Sequence, residues 1–333
     1  MKRSTFLMAL LLLMLSLTGC GEQQRRESHF AMDTYMELTI FQGGEDGAEQ
    51  ACFDLMDAYD DALSITNRLG DVGRINEKGT AQVSADTVSL IHTALEMARI
   101  TKGAFDPTLL PLKELWNIAE RTEEDPLPKA AEIASVKAFT GYEGVSVAGE
   151  TVTLQEGMGL DLGAIAKGYV ADRCAELLLK KGVKEAIINM GGNVRLVGQR
   201  EFNVGVIDPR GQNGTLLLTM ALSDCSIVTS GDYERFVEVN GVRYHHILDP
   251  ETGSPAQSGL CSVTVIGKDG AMCDALSTAF FVLGVEDSMK IIKEHRLPVE
   301  TIFASEDGRV AATAGIGEKI NLKAQGYTLE VLK

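Results

Sequence analysis

Two residues four apart, Asp274 and Thr278 in "CDALSTAF", offer a carboxylate and a hydroxyl from one face of a predicted helix. That is a hard-oxygen pair, suited to Mg²⁺ or Ca²⁺ rather than zinc; the same spacing also serves as a helix cap or a solvated face. A second set lies in "LDLGAIAKGYVADRCAEL", where Asp161 and Lys167 stand among apolar residues at the mouth of a predicted helix. A chain entering a helix presents free N–H groups that favour anions. A lysine in the first turn opposes the helix dipole unless an anion receives it. The plain alternative is that Lys167 snorkels to water and Asp161 caps the helix. A third set is "HHILDPETGSP": His245 and His246 are adjacent on a predicted strand, so they point to opposite faces and only one lines a given site. Either that histidine or Asp249 is a candidate proton acceptor for a hydroxyl nucleophile; the alternative is a well-made hairpin end carrying an exposed histidine. The glycine-rich turns "NMGGN" and "TSGDYE" let backbone approach a ligand closely. Neither a G-x-S-x-G elbow nor a G-x-x-x-x-G-K-[ST] loop is present, so serine-hydrolase and P-loop chemistry lack their signatures.

The elements that position these groups follow from periodicity. Apolar residues at helical spacing predict helices over 46–69 and 85–100, the latter with Ser84 as N-cap. Further helices are predicted from Asp161 to Lys181, with Gly182 at the C-terminal cap, and over 271–283. Short strands turn at Gly149-Glu150, and "EAIINM" predicts a buried strand. "FNVGVI", "TLLLTMAL", "CSIVTS" and "CSVTVIG" add more β structure. Asn240-Gly241 and Glu306-Asp307-Gly308 mark two hairpins. Hairpins mixed with helices predict an α+β fold, not a doubly wound parallel sheet.

The first twenty residues, "MKRSTFLMALLLLMLSLTGC", have a basic start, an apolar run too short to span a bilayer comfortably, and small residues before Cys20. They predict a secretory signal over 1–19, and "LTGC" resembles a lipobox in which Cys20 becomes the lipidated first residue. Residues 20–29 are then expected as a polar tether and 30–333 as the folded domain. The expected location is extracytoplasmic, with a lipid anchor on a membrane. Loss of Lys2 and Arg3 takes the formal net charge from −16 to −18. Such a field repels nucleic acid and anionic headgroups, and a phosphate ligand would need local cations to overcome it. The five cysteines beyond Cys20 are scattered without a C-x-x-C pair and are expected as buried thiols.

Seven stretches in order, "FAMDTYMEL", "GAFDPTLLPLKELW", "LDLGAIAKGYVADR", "NMGGNV", "TSGDYER", "HHILDPETGSP" and "DALSTAFFVLG", resemble the motifs of the ApbE family of flavin transferases. The resemblance implies a T-fold-like α+β architecture of mixed and antiparallel sheets with packed helices. It implies Mg²⁺-dependent transfer of FMN from FAD to a Ser or Thr of an acceptor protein, with release of AMP. Carried over motif by motif, Met32, Ala104, Phe105 and Asp106 would contact the flavin, and Leu248 would touch it through its backbone. Asp161 and Lys167 would bind FAD, the lysine near the pyrophosphate. The Ala164 carbonyl, Asp274 and Thr278 would hold the metal, and His246 is the expected catalytic base. The acceptor would carry a motif such as D-x-x-[ST]-G-A-T, in a membrane redox subunit or a secreted flavoprotein. Two departures stand out: Thr66 where some relatives have an aromatic, and Ser277 where some have a second acidic residue. They keep an Mg²⁺-dependent FAD pyrophosphatase in view, with a non-catalytic, lipid-anchored FAD-binding protein as the other alternative.

Overall fold

Alternation of inward and outward side chains builds the frame. Nine strands, β1 (Arg25–Ala31), β2 (Thr34–Gly43), β3 (Val183–Asn189), β4 (Asn193–Val197), β5 (Ser226–Gly231), β6 (Leu260–Gly267), β7 (Val299–Ser305), β8 (Arg309–Thr313) and β9 (Thr328–Leu332), form one sheet in that spatial order. Neighbours are antiparallel except β8 and β9, which are parallel. The computed structural model describes residues 24–212 and 214–333. The expected signal peptide and Cys20 lie outside the described residues.

Successive residues such as Ile187 and Ile188, or Ile302 and Phe303, enter different cores on the two faces. One face packs on helices α1 (Ala48–Leu63), α2 (Asp71–Lys78) and α3 (Ala85–Ile100), and on two later helices, Ala166–Lys180 and Gly270–His295. The other covers a small sheet of strands 202–207, 216–222 and 321–322. Full burial of side chains such as Leu38, Phe280 and Phe303 contributes about 1.5–3 kcal/mol each. The architecture is mixed α+β, as expected.

Two excursions from this frame carry the loops that matter. The longer runs from β2 to β3 and holds α1 to α3, α4 (Leu110–Trp116), α5 (Ala130–Lys137) and α6 (Ala166–Lys180). The shorter, between β5 and β6, holds the hairpin of strands 236–239 and 242–245, with Asn240 and Gly241 both at positive φ. Trp116 Nε1 donates to the Gly253 carbonyl at 2.8 Å, tying the two excursions together.

Three expectations need correction. The polar segment expected as a tether is already β1 from Arg25 onward. His29 stacks on Phe53 and bonds Asp57 of α1 at 2.6 Å, and Arg25 pairs with Glu49, so polar residues find partners that local pattern does not reveal. The first helix stops at Leu63 because the Ser64 hydroxyl accepts from the Thr66 and Asn67 amides and turns the chain. Helix α7 (Gly270–His295) is two helical segments: the first breaks after Leu283 as expected, at Gly284 with φ 75° and ψ −179°, and a second, which was not expected, runs on to His295.

Helices α6 and α7 cross at two glycines. A Cβ on Gly168 would lie 2.1 Å from the Gly270 carbonyl oxygen, and one on Gly270 would lie 2.6 Å from that of Gly168. Gly168→Ala is therefore expected to lower unfolding stability by about 3 kcal/mol, the upper range for overpacking. Denaturant midpoints measure it, and an unchanged midpoint would mean that the helices can separate freely.

Candidate active site

The crossing of α6 and α7 sets the first part of the site. Asp274 lies one turn into α7 and is buried; its Oδ2 accepts from Gly168 N at 2.9 Å and from Asn193 Nδ2 at 2.8 Å. Its other oxygen, Oδ1, has no hydrogen bond among the described residues. Gly168 N would ordinarily close a helical turn onto the Ala164 carbonyl; its bond to Asp274 leaves that carbonyl available. Thr278, one turn beyond Asp274, is half-buried with its hydroxyl 3.4 Å from Ser230 Oγ. Ser277 is fully buried and is occupied by the Asp274 carbonyl and Ser230, both at 2.8 Å.

Burial pushes the Asp274 carboxyl above the usual aspartate range, against the pull of Lys167, Gly168 N and Asn193. Glu234 is also raised, by desolvation first, which its exposed position moderates, with Asp274 adding repulsion and Lys167 and Arg235 opposing it. Two carboxylates and one lysine thus share a field that an added cation would relieve. Among the described residues no three His, Cys, Asp or Glu side chains form a metal cluster. The second oxygen of a buried aspartate, which takes no hydrogen bond among the described residues, with an available carbonyl and a hydroxyl, nonetheless fits a hard cation that completes its shell with water and phosphate oxygens.

The β5–β6 hairpin supplies the second part. The strand expected to carry both histidines ends at His245, and His246 lies in the bend just beyond it, so the bend and not strand alternation sets its direction. His245 is buried, with Nε2 donating to the Ala256 carbonyl at 2.9 Å and Nδ1 accepting from Ile247 N at 3.3 Å. His246 has the opposite tautomer. A carbonyl can only accept, so Nδ1–H donates to Arg235 O at 3.2 Å and Nε2 keeps its lone pair. Desolvation lowers the His246 pKa, and Arg235, His245 and Lys167 push the same way. The residue keeps an exposed face, which moderates desolvation, but the charges that act on it most favour the neutral ring.

The remaining expected residues fall into two groups. Met32 sits with Asp33 at the β1–β2 turn, both at positive φ, and Met32 N donates to Asp60 at 2.9 Å. Ala104 is half-buried, whereas the Phe105 ring is 2% exposed in the helix-side core, so only its backbone can face a ligand. The Asp106 carboxylate is engaged by the Thr108 amide and hydroxyl and by Tyr142 N, and it holds the loop's shape. Leu248 buries its side chain with Trp116, which also leaves its backbone as the available surface. Asp161 pairs with Lys113 at 2.5 Å and accepts from Gly163 N at 2.8 Å, so it orders the loop before α6 and does not cap the helix. Thr66 is exposed. A cavity of about 670 Å³ reaches Ala104, Asp106 and Asp249 but none of Lys167, Asp274, Thr278 and His246. The hollow therefore adjoins the expected flavin loop, while the titratable groups converge elsewhere.

Asn193, Ser230, Glu234 and Lys113 belong to the constellation without having been singled out. "NMGGN" and "TSGDYE" drew notice for their glycines, and nothing local distinguishes their polar members.

The match to an ApbE family model spans residues 32–303. A FAD:protein FMN transferase of Treponema pallidum (strain Nichols) is 38% identical over 304 residues, covering 85% of this chain and 84% of that protein. The crystal structure of an ApbE protein from Thermotoga maritima superposes with TM-score 0.82 at 33% identity, over 89% of this chain and 99% of the other. The flavin transferase ApbE from Vibrio cholerae gives 0.78 at 27% identity, with the same coverage.

Proposed function

The chain belongs to the ApbE family, and from that premise we propose that it moves FMN from FAD to a Ser or Thr hydroxyl of an acceptor protein, with Mg²⁺ present, releasing AMP. The observation that carries the reading is the His246 ring held through Nδ1 on the Arg235 carbonyl, which directs Nε2 to act as the acceptor, within the same field as Lys167 and Asp274.

The hydroxyl oxygen forms a bond to the phosphorus of the FMN half, and the pyrophosphate bond to AMP breaks. His246 Nε2 takes the hydroxyl proton, and AMP leaves with the bridging oxygen and its electron pair. Mg²⁺, when bound, offsets phosphate charge as it redistributes. Asp274, Thr278 and the Ala164 carbonyl would hold it, and Lys167 supplies the fixed positive charge that a protein of net charge −16 otherwise lacks for a phosphate ligand. Ala104 to Asp106, Met32 and the Leu248 backbone would line the flavin.

Residues 1–19 would be removed and Cys20 lipidated, which places the enzyme outside the cytoplasm on a membrane. Four residues separate Cys20 from β1 at Arg25, five Cα–Cα steps with a reach of at most about 18 Å. The domain would stay close to the bilayer, where a membrane redox subunit carrying a D-x-x-[ST]-G-A-T motif could present its threonine; secreted flavoproteins are the other acceptor class.

Purified protein given FAD, Mg²⁺ and an acceptor domain bearing that motif is expected to release AMP and to add the mass of FMN to the acceptor. Chelation by EDTA should abolish both. AMP without acceptor would favour the pyrophosphatase, and FAD retention with no AMP would leave only a binding protein.

A further inference from the structure

Four elements carry the polar groups of the site: α6 bears Lys167 and Gly168, α7 bears Asp274 and Thr278, β4 bears Asn193, and β5 bears Ser230. All four meet at one side chain that bonds none of these groups, Asp172. It lies on α6 one turn after Gly168, and its Oδ2 accepts from Gly270 N at 2.6 Å, at the first residue of α7. Its Oδ1 accepts from Ser226 Oγ at the start of β5, at 3.4 Å, and lies 3.2 Å from Arg195 Nε of β4. Both ionic partners are largely buried, with side-chain exposures of 12% for Arg195 and 19% for Asp172. Arg195 is held from its other side by Asp224 at 3.4 Å.

The Gly168–Gly270 contact and the bond from Gly168 N to Asp274 fix α6 and α7 at one level of their crossing, where two glycines offer no interlocking side chain. Asp172 adds a second tie, holding the first amide of α7 from one turn along α6. We propose that Asp172 is the positioning residue of the metal site, fixing α7 against α6, β4 and β5 so that Asp274, Thr278 and the Ala164 carbonyl converge; this role rests on the metal reading above. Asp172 touches neither substrate nor metal and acts through Gly270, Arg195 and Ser226.

A mere structural prop and a positioning residue differ in what their loss changes. Burial pushes the Asp172 carboxyl up to about 6, with Asp269 also raising it and Gly270 N, Arg195 and Ser226 opposing. An ionised carboxylate there costs stability at neutral pH, so Asp172→Asn should melt no lower than the parent at pH 8. Its amide oxygen can still accept from Gly270 N, but its neutral NH₂ sets a donor against the Arg195 donor where the carboxylate offered an acceptor and a charge. Outer-shell changes of this kind weaken metal affinity by about 10–100-fold.

The test is equilibrium binding of Mn²⁺ to the full chain with FAD present, read from loss of the free-ion EPR signal, alongside thermal melts. Asp172→Asn is expected to weaken Mn²⁺ at least tenfold with its melt retained. Arg195→Gln should shift binding in the same direction, and the double variant should add little to either single change. Equal Mn²⁺ affinity in Asp172→Asn and parent would overturn the inference while leaving the metal reading intact. A parent that takes up no Mn²⁺ would overturn both. If Asp172→Asn loses its cooperative melt, Arg195→Gln decides the matter, and unchanged Mn²⁺ binding in it would overturn the inference.

Discussion

Asp274→Asn is expected to lower FMN transfer by about 10³-fold, the several kcal/mol that a metal contributes to charge stabilisation. The change isolates one atom. An asparagine oxygen can still accept from Gly168 N and Asn193 Nδ2, as Oδ2 does in the parent. What it replaces is the oxygen without a partner, turning an acceptor that could face a cation into a donor that cannot. Burial holds the Asp274 carboxyl above its ordinary range. In the folded chain its ionisation therefore costs stability above the pKa of the unfolded residue, and a neutral amide removes that cost. The variant should melt at or above the parent temperature at pH 8 while transfer collapses, and excess Mg²⁺ should not restore activity. Transfer assays over a range of Mg²⁺ together with calorimetry give both readouts. Retention of more than a tenth of parental transfer would remove Asp274 from the metal site.

His246→Ala is expected to lower transfer by about 10²–10⁴-fold, the usual contribution of a positioned general base. FAD binding should change little, because the proton acceptor acts on the incoming hydroxyl. The pH dependence carries a sign that follows from the environment. Imidazole is a base only when neutral, so transfer is lost as pH falls through the His246 pKa. Desolvation and the surrounding cations lower that pKa from 6.5 to about 4, and the exposed face of the ring places the acid limb between those two values. Transfer should then be nearly flat from pH 7 to 8 as far as this group is concerned. In His246→Ala the acid limb from the imidazole should vanish. FAD titration by flavin fluorescence and single-turnover transfer across pH 4.5–8.5 test the assignment. A loss under tenfold, or an acid limb unchanged by the substitution, would mean that another group takes the proton.

What was legible in the chain was what local chemistry controls. Ser84 caps the helix at 85–100 because a side-chain oxygen and an amide three residues on are covalently near each other. Asn240-Gly241 makes its hairpin because both residues tolerate positive φ. Ordered motifs carried the family, since the residue types that meet a nucleotide recur at recognisable places along the chain. Tertiary structure decided the partners. Asp161 could be placed at a helix mouth, but its choice of Lys113, 48 residues away, depends on how α4 lies beside that loop. Asp274 takes hydrogen bonds from Gly168 and Asn193, 106 and 81 residues away, and Asp172 gathers three other elements from as far as 98 residues along the chain. The tautomer that makes His246 a base hangs on the Arg235 carbonyl brought across the hairpin. Sequence determined which groups could do chemistry and which local geometry each prefers, because those depend on bonds and near neighbours. Only the closed fold set their protonation and convergence, because those depend on desolvation and on charges brought together by packing.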